Sequence, residues 1–306
     1  MNRYTRSLVS MTVASALALG TTAYSRAAEN GLLNYTPGQV GPFIGVFPPV
    51  PGLFAINQIA YFYADGLYDG KGNKTSVPFE LSTKVEVAII MASYDFKLFN
   101  ANVYSMAIIP YVAPQTTVFG YKNYDSGLSN VTVSPIVLNW NIDKFQSITT
   151  SLDITTAISD YGATSPATGN NYFTISPSVA YRYFDPDGLE FGILPRLLFN
   201  SENTDTAYQS GTTMVVDFML NWHFGKLSLG IVGAYAKQLD GDKLFGQDIG
   251  NKYAMFRAGP SITYDAGPMV FNLNWQPNWM VENGANTSAL WFNIAFPIHM
   301  AGGPPG

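Results

Sequence analysis

Thr213-Met214-Val215-Val216-Asp217-Phe218-Met219-Leu220-Asn221-Trp222-His223 alternates along its length. Met214, Val216, Phe218, Leu220 and Trp222 share one face; Thr213, Asp217, Asn221 and His223 share the other. Successive side chains of a strand point to opposite sides, so the stretch reads as a strand with one wholly apolar face. The pattern recurs. In 147–158, Ile148, Leu152, Ile154 and Ile158 oppose Ser147, Thr149, Ser151, Asp153 and Thr155. Phe271, Leu273 and Trp275 oppose Asn272, Asn274 and Gln276, and Leu290, Phe292, Ile294 and Phe296 oppose Ala289, Trp291, Asn293 and Ala295. Segments of about 10 residues with this period suit tilted strands that face lipid on one side and a lumen on the other.

Extended along the chain, this reading gives an all-β fold: an antiparallel transmembrane β-barrel of about 12 strands. They lie at 53–64, 79–94, 102–119, 129–140, 146–159, 172–184, 189–200, 211–224, 227–239, 252–264, 269–280 and 287–298. Connections after even strands are tight, such as Asp185-Pro186-Asp187-Gly188 and Gly225-Lys226; those after odd strands are longer and polar, such as Asp65 to Val77. Short periplasmic turns and longer outer loops follow, with both ends of the barrel on the periplasmic side. Turn chemistry makes local predictions. Asp-Pro-Asp-Gly suits a type I turn with Gly188 in a left-handed bulge, pairing Phe184 with Glu190. Gly225-Lys226 suits a two-residue turn that sets Trp222 beside Leu229. Pro110, Pro114, Pro135, Pro177, Pro195, Pro260 and Pro277 fall inside these strands. Proline cannot donate to a ladder, so bulges or kinks are expected there.

Composition agrees with a membrane barrel. Charged residues are 12%, about half the globular norm of roughly 25%. Mean hydropathy is only +0.08, so apolar and polar residues are finely mixed. Arg3 and Arg6, the apolar run Leu8 to Gly20, and Ser25-Arg26-Ala27 read as a secretory signal over residues 1–27, cleaved near Ala27. Cleavage removes three arginines and takes the net charge from −5 to −8, which argues against nucleic acid. With no cysteines, disulfides do not hold the chain together. Past the signal no apolar run approaches a helical span, and the other backbone-satisfied way across a bilayer is a closed barrel. Residues 28–51 are a Gly/Pro-rich segment, either folded into the lumen or a plain leader to the first strand. The barrel then occupies 52–300 and a short tail 301–306.

The alternation aims nine charges inward: Glu80, Lys84, Glu86, Asp153, Arg182, Glu190, Arg196, Asp217 and Arg257. They form either a polar constriction that orients a solute or an ion-pair lattice that stiffens a narrow barrel. Trp140 and Trp222 read as periplasmic girdle and Trp279 as outer girdle; Trp291 faces the lumen and could meet a ligand. An enzyme is the rival class. His223 and His299 are the only histidines, and no Gly-x-Ser-x-Gly, His-Glu-x-x-His or P-loop occurs. No catalytic residue, cofactor or metal is therefore assigned.

Further motifs carry a resemblance. Glu29-x-Gly31, Tyr35-x-Pro37-Gly38, Gly41, Gly45 and Pro48-Pro49-x-Pro51-Gly52 open the segment. Tyr61-x-Tyr63-Ala64-Asp65, Gly259-Pro260-x-x-x-Tyr264-Asp265, Glu282-Asn283, Trp291 and Ala295-Phe296-Pro297 follow. Together they resemble the family named for the meta-pathway of phenol degradation. That resemblance implies a Gram-negative outer-membrane barrel that admits small hydrophobic or aromatic compounds such as phenolics. It implies as partners the lipid bilayer, the solute and the barrel-assembly machinery. Arg196 or Arg257 would then orient a phenol hydroxyl or carboxylate, among the lumen candidates Arg182, Asp153, Glu190, Asp217 and Trp291. The alternatives are a general barrel without a dedicated substrate and a lipid-acting enzyme. The ending departs from the family pattern, since Phe296 is followed by Pro297-Ile298-His299-Met300 and a Gly/Pro tail.

Overall fold

The computed structural model describes residues 27–159 and 166–301. The signal reading and the last five residues of the tail lie outside the described residues. Twelve long strands build the wall: β1 (Gly52–Tyr68), β2 (Phe79–Leu98), β3 (Ala101–Val118), β4 (Thr132–Asn141), β5 (Gln146–Thr155), β6 (Thr174–Phe184), β7 (Leu189–Asn200), β8 (Thr213–Phe224), β9 (Leu227–Gln238), β10 (Ala254–Asp265), β11 (Val270–Glu282) and β12 (Gly284–Met300). Each pairs antiparallel with its neighbours in sequence, and β1 pairs with β12, so the sheet closes and leaves no edge among these strands. The strand reading of the sequence is borne out to within a few residues at most ends. Short pairs at Tyr121–Tyr124, Gly127–Leu128, Tyr208–Gln209, Lys243–Leu244 and Gln247–Asp248 ornament the outer loops.

The turn predictions largely hold. Phe184 faces Glu190 across one turn and Trp222 faces Leu229 across the other. Gly225 has φ +62, as a glycine-first hairpin requires, but Gly188 does not take a positive φ. The prolines divide. Pro135 sits in a register shift on both sides of β4. Ladder pairing lapses around Pro177 and Pro195 between β6 and β7, and around Pro260 and Pro277 between β10 and β11. Pro110 and Pro114 stay in register with β2, where no bulge forms. The connection from β11 to β12 is also tighter than its sequence suggested, with Asn283 alone between the strands at φ 52. His299 lies in β12, opposite Leu53.

The outward face from β5 to β12 is apolar, with Ile175, Val179, Ile193, Leu220, Trp222, Ile231, Leu273, Trp275 and Leu290 exposed to the surroundings. One part of the facing reading is overturned. Glu80, Lys84 and Glu86 do not enter the lumen. Glu86 pairs with Ile59, which is 50% exposed, and Lys84 with Tyr61, which is 44% exposed. Their inward neighbours are Phe79, Val85, Val87 and Met91, buried or half-buried against Phe62, Tyr104 and their surroundings. The reading failed because it assumed a polar lumen all the way round. Behind β2 the lumen is apolar, so the alternation of that strand is inverted.

Residues 27–51 resolve the open alternative: the segment is folded into the lumen. It begins at the outer mouth, where Ala28 N donates to Asp242 Oδ2 (2.8 Å) and Glu29 N to Ser210 Oγ (3.1 Å). Asn34 Nδ2 reaches Thr174 Oγ1 (2.9 Å) at the outer end of β6. Lower down, Ile44 is buried among Ala180, Leu194, Met219 and Val232. Burying such a side chain stabilises by about 1.5–3 kcal/mol. At the periplasmic end Pro48 O accepts from Tyr104 Oη (3.0 Å), and β1 starts at Gly52. The segment therefore runs the height of the barrel as an internal plug.

Candidate functional site in the lumen

The plug is held at mid-height by one carboxylate. Asp217, on the lumen face of β8, accepts from Tyr35 Oη (2.6 Å) and Gly38 N (2.6 Å). Gly38 has φ +88, and a Cβ there would lie 2.1 Å from Gln276 Oε1, so only glycine lets the plug lie this close to β11. Gln276 Nε2 in turn donates to Gly38 O (3.0 Å). On the opposite side Gln58 of β1 exchanges hydrogen bonds with Gln39, to its side chain (3.2 Å) and its carbonyl (3.0 Å).

Beside the plug lies a buried ion pair. Arg196 Nη1 of β7 pairs with Asp153 Oδ2 of β5, and Asp153 Oδ1 accepts from Ser134 Oγ (2.6 Å). The Arg196 guanidinium also covers the Tyr35 ring at 4.1 Å. Arg196 is 8% exposed and its Nε has no partner. A buried donor left open costs about 1–3 kcal/mol, so this atom marks where an acceptor would be welcome.

Arg196 is part of the lining of a cavity of about 110 Å³ between the plug loop Val40–Phe47 and the wall. Ile56, Ile89, Met91, Met106, Ile108 and Val137 make one side, and Arg196, Asp153, Ser151 and Ser178 the other. The cavity is thus mostly apolar towards β1–β4, with Gln58 the exception, and mixed towards β5–β7, where Ala180 and Leu194 join the polar side chains. A cavity of about 150 Å³ lined by aliphatic side chains holds benzene, so a single ring is near the size that fits.

The remaining candidates are spread along the lumen. Arg182 pairs with Glu190 (2.6 Å), which also meets His223 Nε2 (2.9 Å), forming a cluster near the periplasmic turns under Gly45. Arg257 donates from Nε to Asn278 (3.0 Å) and from Nη2 to Thr287 (2.8 Å), while its Nη1 has no partner. Trp291 faces inward at 1% exposure, edge-on to Phe62 at 5.4 Å, and does not line the cavity. Only Arg196 and Asp153 of the candidates meet at the cavity, with Asp217 joined to them through Tyr35. Sequence reasoning missed the plug's Tyr35, Gln39 and Ile44, and the apolar wall. The signal for that wall was present: Val85, Val87, Ile89 and Met91 share one parity in β2.

A closed twelve-stranded barrel with an apolar outer belt, short turns at one end and a filled, mixed lumen defines an outer-membrane β-barrel. The chain belongs to the family described as "Putative MetA-pathway of phenol degradation", whose model matches residues 64–294. In structure it is similar to an outer membrane channel from Pseudomonas putida F1, with a TM-score of 0.75 at 13% identity over 84% of this chain and 98% of that one. It is also similar to the β domain of the Bordetella autotransporter BrkA, with a TM-score of 0.51 at 7% identity over 81% and 100% of the two chains. The translocator domain of the autotransporter NalP from Neisseria meningitidis gives 0.50 at 9% identity over 85% and 92%. At these identities the likeness speaks for the fold. No curated protein matches the sequence.

Proposed function

We propose that this protein admits small hydrophobic, above all aromatic, compounds across the outer membrane by passive diffusion, with the plug-side cavity as a binding station on the way. One observation carries the reading: the cavity of about 110 Å³ is apolar on one wall and is lined on the other by Arg196, whose Nε has no partner. A single ring bearing a hydroxyl or carboxylate would bury its body against Ile89, Met91 and Ile108 and give the guanidinium an acceptor. The family description supports the same chemistry. The plug also favours a second reading, a general barrel without a dedicated substrate, because it occupies most of the lumen's height.

Uptake of a labelled phenol at low external concentration separates these. Cells lacking the protein should take it up several-fold more slowly, and the wild type should restore the rate. Met91→Trp, which fills the cavity from its apolar wall, should not, although the variant reaches the membrane in equal amount. Equal uptake with and without the protein, across several aromatic compounds, would remove the transport reading and leave the general barrel.

A further inference from the structure

The outer mouth holds a second built site. Asp242 is fully buried, at 0% exposure, in the loop between β9 and β10. Its Oδ1 accepts from Gly211 N (2.8 Å) and Gln238 Nε2 (2.6 Å), and its Oδ2 from Tyr208 Oη (2.5 Å) and Ala28 N (2.8 Å). All of these donors are neutral. Among the described residues no lysine, arginine or histidine pairs with Asp242. Burial and the Asp242 carboxylate push the Tyr208 phenol well up, as a negative charge at this place would. A buried carboxylate without a cation is costly, and hydrogen bonds alone recover only part of the cost.

The backbone at Ala28 adds a second, independent oddity. Ala28 has φ 55 and ψ 136, a left-handed conformation that alanine rarely adopts. The penalty of that φ arises from the preceding carbonyl, which belongs to Ala27. Ser25-Arg26-Ala27 places small residues at the two positions a signal peptidase reads, so the bond marked for cleavage is Ala27–Ala28.

We propose that Asp242, with Gly211, Gln238 and Tyr208, is a receptor for the α-ammonium group that signal removal creates on Ala28. Hydrolysis adds water across the Ala27–Ala28 peptide bond. Ala27 takes the water oxygen and leaves as a carboxylate with the signal segment, giving up its 3.2 Å contact to Asn283 O, and the Ala28 nitrogen takes both protons of the water to become an ammonium. One step thus supplies the missing counter-charge 2.8 Å from Asp242 Oδ2 and abolishes the strained φ. Capture of an N-terminal amine by a prepared polar pocket is a known recognition mode. The consequence is that only the processed chain anchors the top of its plug fully; a retained leader leaves Asp242 without its cation and the plug less firmly seated.

The test uses the mature protein in detergent and in planar bilayers. Mass spectrometry of the purified chain should place its first residue at Ala28. The α-amine, reacted with an acylating reagent near neutral pH, should modify at least tenfold more slowly in the folded wild type than in Asp242→Asn. A variant with one glycine inserted between Ala27 and Ala28 keeps Asp242 but displaces the amine. It should match Asp242→Asn in raised channel conductance, and the double variant should add nothing further. A mature chain starting elsewhere would overturn the proposal. So would an α-amine equally reactive in wild type and Asp242→Asn, or independent, additive effects of the two changes.

Discussion

The two sides of the lumen wall differ in what they turn inward. From β5 to β11 the inward residues mix charged and polar side chains, such as Asp153, Arg196, Asp217 and Arg257, with buried Leu194, Val215, Met219 and Met255, and the outward ones are apolar. From β1 to β3 the inward residues are largely apolar, as in Ile56, Val87, Ile89, Met91, Met106 and Ile108 beside the buried Gln58, while the outward face mixes Asn57, Lys84, Glu86 and Gln115 with exposed Ile59, Tyr61, Ile109 and Tyr111. The difference shows that alternation fixes strand and pairing but not which face is inside. That is decided by what the face packs against, here the plug's Val46 and Phe47 and the cavity. It also gives the cavity its two-sided character, since the border between the halves passes through it.

The sharpest way to break the comparison is to remove charge from the polar half. Asp153→Ala leaves the Arg196 guanidinium buried with its anion gone, and breaking a buried pair typically costs about 3–5 kcal/mol. Replacing both partners, as Asp153→Leu with Arg196→Met, should recover most of that. Urea unfolding from lipid vesicles measures both. A full loss in the double variant would mean the pair does more than balance charge.

A smaller effect is expected where the halves meet the plug. Gly38→Val forces a branched residue into φ +88 and into the space of Gln276. Strain of this kind costs on the order of 1–3 kcal/mol. Because the closed ladder is built by the strands and not by the plug, the change should surface mainly as higher conductance in planar bilayers, with a modest fall in stability. Unaltered conductance would mean that the plug does not limit flow.

How much of this was legible follows from the same contrast. Strand positions, the twelve-fold count and the pairing across Phe184/Glu190 and Trp222/Leu229 could be read because period-two patterning and turn residues are local properties. The lumen position of Arg182, Asp153, Glu190, Arg196, Asp217 and Arg257 could be read because charge on the lipid face is costly on strands that sit wholly within the membrane. The plug path could not be read. Its contacts join residues more than a hundred apart, as in Tyr35 to Asp217 and Asn34 to Thr174, and its Gly/Pro-rich sequence has no period. The apolar wall of β2 was misread for the same reason, since the plug loop that makes it an interior lies outside the strand.

The smallest expected effect tests that inversion directly. Glu86 lies outward between Ile59 and Tyr111, its side chain accepting only from Asn57 Nδ2 (3.1 Å) on the neighbouring strand. Glu86→Leu should therefore leave stability unchanged or raise it, since Glu86 shares its row with the outward Ile59, Phe292 and Leu273 and a charge on that face is costly. Val87→Glu, one residue on, would place a carboxylate beside the buried Gln58 and should lower stability. The two variants differ by one position and share a pairing environment, so the contrast between their effects reads the facing of β2 alone. A Glu86→Leu variant as disruptive as Val87→Glu would restore the uniform polar lumen and remove the apolar wall from the cavity.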